Sequence, residues 1–197
     1  MSLFAEYLND NLLSINTTGR DDAFADDESY PYEPTPYCVL ERLADSGFVT
    51  KEDYLIDFGC GKGRTCFYLN DKCGCKVQGI ESIKDFFDVA KRNLAEDTTD
   101  IGFVNANAEN YDIPDDATIM YFFNPFADKI LRQAIENIVT SYYRNSRRIY
   151  LMFYYPSDEY ISILMSVPEL VFLDEIDCND LFEEDTDRNR IMIWQIG

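Results

Sequence analysis

The chain has 197 residues, a length that predicts a single domain with a substantial buried core. Its 37 acidic and 17 basic residues give a formal net charge of −20, which disfavours binding to nucleic acids and to anionic membranes. Because there is no histidine, mechanisms that need an imidazole, including the serine and cysteine hydrolase triads, are excluded.

Cysteine usage and hydropathy indicate the compartment. The six cysteines predict reduced thiols in a cytoplasmic protein, since no basic and then apolar leader precedes them. Cys73 and Cys75 are too closely spaced for a zinc knuckle, so no metal site is predicted. No apolar run approaches the roughly 20 residues of a membrane span.

The first 36 residues are acidic and rich in turn-forming residues. We expect residues 1–36 to form a mobile acidic arm with a short helix, and residues 37–197 to form a single catalytic domain. The acidic runs Asp21–Glu28 and Glu183–Asp187 are interpreted as solvated loops, with attraction of a cationic substrate as the alternative.

Strands and helices alternate along the rest of the chain, which predicts a mostly parallel sheet with helices on both faces. The predicted helices are Tyr37–Ala44, Lys62–Asn70, Lys84–Leu94, Asp128–Tyr143 and Ile161–Met165. The predicted strands are Tyr54–Phe58, Lys76–Ile80, Ile101–Val104, Ala117–Phe123, Arg148–Tyr155, Leu170–Ile176 and Arg190–Ile196. The last two have no helix between them, which predicts a C-terminal antiparallel hairpin.

A glycine-rich loop follows the first strand, in the stretch Asp57-Phe58-Gly59-Cys60-Gly61-Lys62-Gly63-Arg64. Backbone N–H groups at such a strand-to-helix turn can hold a polar or anionic ligand. A dinucleotide-binding loop would have glycine or alanine where Arg64 stands, so an NAD-dependent oxidoreductase is disfavoured. The spacing of a P-loop is absent. Lys62 and Arg64 are interpreted as surface charges.

The acidic residue two positions before this GxGxG resembles the first motif of the class I S-adenosylmethionine-dependent methyltransferases. The resemblance implies an α/β fold with a Rossmann-like, seven-stranded, mostly parallel sheet and a C-terminal antiparallel hairpin, with S-adenosylmethionine as cofactor. It implies that Asp57 orients the loop and the methyl donor's amino group, and that Glu81 binds the ribose hydroxyls. It implies further donor contacts from Gly59, Cys60, Gly61, Gly63 and Ser82, with Cys60 acting through its backbone.

Two later segments also match motifs of that family. Asn107 and Ala108 stand where the family commonly has an Asp-Ala pair at the adenine, with asparagine replacing aspartate. Asn124, in Phe123-Asn124-Pro125-Phe126, stands where relatives that methylate amines hold donor and acceptor together, although this chain has one proline where they have two. Tyr154, at the end of the fifth strand, is a second candidate for the acceptor site.

The stretch Tyr32-Glu33-Pro34-Thr35-Pro36 resembles a motif of small protein-lysine methyltransferases, which implies that Tyr32 and Thr35 line the donor pocket. The sequence therefore predicts a methyltransferase acting on an unidentified acceptor, such as a protein lysine, another amine or a small molecule. The alternative is a regulatory protein that binds S-adenosylmethionine without catalysis. The oligomeric state is not predicted.

Overall fold

Helices and parallel strands alternate in the computed structural model of the chain, which describes residues 3–23, 31–95, 98–184 and 186–197. The strands are β1 (Tyr54–Phe58), β2 (Lys76–Glu81), β3 (Ile101–Asn105), β4 (Ile119–Phe122), β5 (Ile149–Tyr154), β6 (Val171–Asp177) and β7 (Arg190–Ile196). The helices are α1 (Leu3–Leu12), α2 (Tyr37–Asp45), α3 (Arg64–Cys73), α4 (Lys84–Asn93), α5 (Asp128–Arg144) and α6 (Asp158–Met165). Short 3₁₀ turns span Ala108–Asn110 and Asn179–Leu181.

The strands form one seven-stranded sheet in the order β3-β2-β1-β4-β5-β7-β6. Neighbours from β3 to β5 are parallel, whereas β7 is antiparallel to both β5 and β6. The predicted fold is thus confirmed, including the C-terminal hairpin. The strand order reverses between β1 and β4, and in open α/β sheets ligands bind beyond the carboxyl ends of the strands at that point.

Apolar side chains cover both faces of the sheet. Along β1, Leu55 faces a core that includes residues of α2 and α3, while Ile56 faces a core that includes residues of α5 and α6. Both side chains are fully buried. Because both faces are covered at the centre of the sheet, β1, β4 and β5 are near-continuous apolar runs, as expected of parallel strands, whereas the edge strand β6 is mostly exposed.

An aromatic stack supports the carboxyl ends of three central strands. Phe58, Phe122 and Phe153 are paired in register across β1, β4 and β5. Their ring centroids are 4.8 and 4.5 Å apart, with nearly parallel ring planes. Stacked rings fix the spacing of these strand ends, and hence of the loops that leave them.

Local chemistry shifts two helix starts from their predicted positions. Helix α3 begins at Arg64 rather than Lys62, because Gly63 has a left-handed φ of 90° that a helix cannot contain. Helix α6 begins at Asp158 rather than Ile161, because the Ser157 side chain accepts a hydrogen bond from the Tyr160 N–H and caps the helix.

The described part of the N-terminal segment is packed against the domain, where a mobile arm was expected. Ile15, Tyr32 and Thr35 are all less than a tenth exposed. Residues 24–28 of the first acidic run and residue 185 of the second lie outside the described residues. The boundary at residue 36 stays a prediction.

Within the described ranges, no helix has the length and apolar character needed to cross a membrane. The same residues contain no cluster of three or more metal-ligating side chains. All six cysteines are unpaired.

Candidate functional site

A cavity lies beyond the carboxyl ends of β1, β2 and β4, at the reversal of strand order. Its walls come from the loops after these strands and from the N-terminal segment. Eleven of the predicted site residues line it: Tyr32, Thr35, Asp57, Gly59, Cys60, Gly61, Glu81, Ser82, Asn107, Ala108 and Asn124. The structure therefore brings together residues that are up to 92 positions apart in the chain.

The glycine loop needs glycine for two reasons. Gly59, Gly61 and Gly63 all have left-handed φ values, of 72°, 55° and 90°. A Cβ on Gly59 would lie 2.4 Å from Pro125, and one on Gly61 would lie 2.3 Å from the Tyr32 ring. Neighbouring protein groups therefore already exclude side chains at these two positions, before any ligand is bound.

Gly63 is not part of the cavity wall. It precedes α3, and a Cβ there would lie 2.7 Å from the Phe103 ring on β3. This third glycine therefore permits close packing of the helix start against the sheet, as in other strand-turn-helix loops.

Glu81 ends β2 and is 6% exposed. Its carboxylate accepts hydrogen bonds from the N–H groups of Gly61 and Ile83, each at 2.8 Å. Burial raises the pKa of Glu81, while these backbone hydrogen bonds lower it. Each carboxylate oxygen has capacity for a further donor, so the residue can still accept from two adjacent hydroxyl groups.

Asp57 is the penultimate residue of β1 and is 3% exposed. Its pKa is raised to about 7, chiefly by burial; a hydrogen bond from Cys66 lowers it and the nearby Glu81 charge raises it. The Cys66 thiol lies 3.5 Å from the Asp57 carboxylate. A buried carboxyl group of this kind is favoured in its ionised form by a cationic ligand.

The loop after β3 forms another part of the wall. Ala108 is buried and opens a 3₁₀ turn, while Asn107 precedes this turn and is exposed. The Asn107 side chain makes no capping hydrogen bond, so it is available to a ligand.

Cys60, in the glycine loop, also lines the cavity. Burial raises the pKa of its thiol to about 11, so the thiol stays protonated.

Asn124 has two unusual features at the end of β4. Its backbone is left-handed, with φ of 41°, a conformation that asparagine tolerates better than most residues. Its side-chain oxygen Oδ1 is buried, and no described residue donates a hydrogen bond to it. A buried oxygen without a donor is costly, and Asn124 lines the cavity, so this oxygen is a candidate acceptor for a ligand that donates.

The structure does not bring Tyr154 to this cavity. Its ring is buried and packs on Phe123, with 4.7 Å between centroids. Tyr121 lines the cavity instead, and its hydroxyl lies 3.0 Å from Thr35 Oγ1. Tyr121 was not predicted as a site residue. Its position at the cavity depends on the register of β4 against β1, where it pairs with Asp57, and no motif in the sequence indicates that register.

The interpretation of Arg64 as a surface charge is wrong. Its side chain is 2% exposed and forms ion pairs with Glu6 and Asp10 of α1. Lys62 is half-buried, with its ammonium 4.5 Å from the centroid of the Tyr32 ring. An arginine at the start of a helix gives no sign of burial in the sequence, because its partners are more than 50 residues away.

Comparison with known proteins finds a family match over the part of the chain that builds much of this site. Residues 55–143 match the family described as a methyltransferase domain. The matched range begins in β1 and ends in α5, so it includes the glycine loop, Glu81 and Asn124.

Two curated proteins share part of the sequence. A histone-lysine N-methyltransferase, H3 lysine-79 specific, from Dictyostelium discoideum is 36% identical over 62 residues, which are 32% of this chain and 3% of that protein. A probable ribosomal RNA small subunit methyltransferase A from Methanopyrus kandleri is 30% identical over 112 residues, which are 54% of this chain and 40% of that protein. The chain thus spans less than half the length of either relative.

A solved structure shares the fold. An RNA methyltransferase from Salinibacter ruber, crystallised with S-adenosyl-L-homocysteine, superposes with a TM-score of 0.57 at 20% identity. The superposition covers 83% of this chain and 94% of that one. The match over residues 55–143 and the shared fold confirm the resemblance to methyltransferases that the glycine loop indicated.

Proposed function

We propose that this chain is a class I S-adenosylmethionine-dependent methyltransferase, which the matched domain and the shared fold support, and that it transfers the methyl group to an amine nitrogen. The observation that carries the amine is Asn124 Oδ1, which is buried in the cavity wall without a donor. A neutral amine still has N–H groups that can donate to this oxygen when it attacks the methyl group. An oxygen or sulfur nucleophile that attacks as an alkoxide or thiolate has no hydrogen left to donate.

The residues present fit the proposed cofactor. Glu81 can accept from the two vicinal ribose hydroxyls, and Asp57 can accept from the donor's ammonium group. Asn107 and Ala108 line the cavity in the loop after β3 and would contact the adenine. When bound, the sulfonium group supplies an activated methyl group, whose transfer is an in-line displacement.

The chain's own contribution is positioning. An acceptor that arrives as an ammonium ion must first lose its proton to solvent water, because only the neutral amine has a lone pair to accept the methyl group. Accepting one N–H group of that neutral amine at Asn124 Oδ1 would turn the nitrogen lone pair away from the asparagine. Holding both reactants in line within a buried site can give effective molarities of about 10⁵ M or more, so a site without histidine suffices. Tyr121 stays a neutral hydrogen-bonding group, because burial raises its pKa well above the ordinary value.

The charges of the cavity favour a cationic acceptor over a polyanion. Besides Asp57 and Glu81, the carboxylates of Glu33 and Glu109 line it, and the guanidinium of Arg64 is already paired. Two of the similar proteins carry RNA activities in their names. The net charge of −20 opposes phosphate binding, so we place a protein lysine or a small amine ahead of RNA.

The test is formation of S-adenosylhomocysteine from S-adenosylmethionine with three acceptor pools: lysine-containing peptides, small polyamines and purified ribosomal RNA. We expect turnover with an amine pool, and a loss of about 100-fold or more in Asn124→Ala. Asn110→Ala is the matched control, since Asn110 is exposed and outside the cavity wall, and it should keep full activity.

The other outcomes each contradict a stated part of the proposal. Turnover with RNA alone would overturn the amine acceptor. Tight binding of S-adenosylmethionine without turnover in any pool would favour the regulatory alternative over an enzyme. Equal activity of Asn124→Ala and Asn110→Ala would remove Asn124 from the acceptor site.

A further inference from the structure

Arg64 occupies a buried position between the glycine loop and the N-terminal segment. Its Nε donates to Thr17 Oγ1 and its Nη2 to Thr18 Oγ1, both at 2.8 Å. Its Nη1 donates to the Thr35 carbonyl oxygen at 3.3 Å. The planar guanidinium thus binds three separate points of the N-terminal segment at once, which a lysine ammonium cannot do in the same geometry.

Two carboxylates of α1 complete the arrangement. Glu6 and Asp10 pair with Arg64, and Asp10 is 2% exposed. Asp10 also accepts from the backbone N–H groups of Thr17 and Thr18, at 2.6 and 2.7 Å. We call the set Glu6, Asp10, Thr17, Thr18 and Arg64 the clasp.

The clasp is connected to the cavity wall by direct contacts. The Tyr32 hydroxyl donates to the Thr17 carbonyl oxygen at 2.6 Å, and the Tyr32 ring lies against Gly61. Thr35, whose carbonyl oxygen binds Arg64, places its hydroxyl 3.0 Å from the Tyr121 hydroxyl. Both residues therefore reach the cavity from a segment whose position Arg64 fixes.

We propose that Arg64 is a positioning residue of the donor site, holding residues 31–35 against the glycine loop as one wall of the cavity. The inference rests on the proposed function, because the donor is S-adenosylmethionine. It assigns to the N-terminal segment a direct part in donor binding, although this segment lies outside the matched range 55–143.

The test compares three variants for binding of S-adenosylhomocysteine by calorimetry. Arg64→Lys keeps the positive charge and removes the fork, so complete loss of a buried charge is avoided. Tyr32→Phe removes one hydrogen bond and keeps the ring. Arg144→Lys is the control, because Arg144 is at the end of α5, pairs with Asp112 and Asp115, and lies outside the cavity wall.

We expect the dissociation constant to rise at least tenfold in Arg64→Lys, about fivefold in Tyr32→Phe and not at all in Arg144→Lys. With an active acceptor, the KM for the donor should rise in Arg64→Lys while kcat at saturating donor stays the same. A general structural defect would lower kcat or the amount of folded protein instead.

Amide hydrogen exchange separates this inference from the proposed function. The Thr17, Thr18 and Tyr32 N–H groups are all hydrogen-bonded, so their exchange should be faster in Arg64→Lys than in Arg144→Lys. Wild-type affinity in both Arg64→Lys and Tyr32→Phe would overturn the positioning role. If the wild-type protein binds no donor, the proposed function fails, and unchanged exchange in Arg64→Lys would then overturn the clasp as well.

Discussion

The Asp57 side chain is unfavourable to ionise in the ligand-free protein, because it is buried near a second buried acidic side chain, Glu81. With a pKa of about 7, Asp57 carries a proton in much of the ligand-free protein at neutral pH. Between about pH 4 and pH 7 the folded state therefore holds a proton that the unfolded state, with an ordinary pKa near 4, has lost. For this residue, the stability of the ligand-free protein falls as the pH rises from about 4 to about 7.

Donor binding should have the opposite pH dependence at Asp57. An ammonium group binds the carboxylate and not the carboxylic acid, so the affinity for S-adenosylmethionine should rise about tenfold between pH 6 and pH 8. Binding at pH 7 should release part of one proton, which calorimetry in buffers of different ionisation enthalpy measures. Asp57→Asn should abolish both effects. A pH-independent affinity, or uptake of a proton, would contradict this role.

Gly61 allows a test of the close approach between the glycine loop and Tyr32. Gly61→Ala strains a left-handed residue and pushes the Tyr32 ring out of the cavity wall, since its Cβ would lie 2.3 Å from that ring. We expect at least tenfold weaker donor binding at a modest cost in stability, of about 1–3 kcal/mol.

The control for Gly61 is Gly102→Ala on β3, where the nearest atom to an added Cβ is 3.7 Å away and φ is not left-handed. This variant should bind the donor as the wild-type protein does. Equal affinities of the two alanine variants would show that the approach of Tyr32 to the loop does not matter for binding.

At the scale of elements, α1 has an orientation that hydropathy does not predict. Its Glu6 and Asp10 face Arg64, while Leu3, Phe4 and Leu12 are each more than 60% exposed. The hydropathy pattern of a surface helix normally predicts that its apolar side chains face the core. The orientation is reversed here because burying Arg64 requires carboxylate partners, and α1 supplies them.

The contribution of α1 can be measured through Asp10. Asp10→Ala removes the acceptor of four hydrogen bonds from Thr17 and Thr18 and one partner of a buried arginine. We expect the free energy of unfolding to fall by about 3–5 kcal/mol in urea titrations. Asp22→Ala breaks an ion pair whose side chains are over half exposed, and should cost less than about 1 kcal/mol. A loss below 1 kcal/mol in Asp10→Ala would contradict the clasp as a stabilising element.

Most elements were predictable because their signals are local. The strands of the sheet are short apolar runs between turn residues, and the long helix α5 has a clear helical period. The start of α6 was misplaced because a single capping serine decides it, and the 3₁₀ turn after Asn107 has no period to detect.

At the scale of the whole molecule, motif spacing predicted eleven residues of the cavity wall but not what holds the N-terminal segment to it. Gly59, Glu81 and Asn124 meet because parallel strands present their carboxyl ends at one edge. The placement of Tyr121 depends on strand register, and that of Arg64 on contacts with a distant helix. The spacing of motifs in a single sequence predicts neither the strand register nor these long-range contacts.

The net charge also acts on the molecule as a whole. A charge of −20 creates a negative potential over the surface as a whole, which attracts cationic acceptors and repels phosphate groups. A cytoplasmic location and the identity of the acceptor stay predictions.

Calorimetric titration of the whole chain tests most directly whether the cavity binds S-adenosylmethionine. We predict micromolar binding of both S-adenosylmethionine and S-adenosylhomocysteine, with one site per chain, and no heat with NAD. Binding of NAD alone, or of none of the three, would contradict the account and reduce the glycine loop to a turn between β1 and α3.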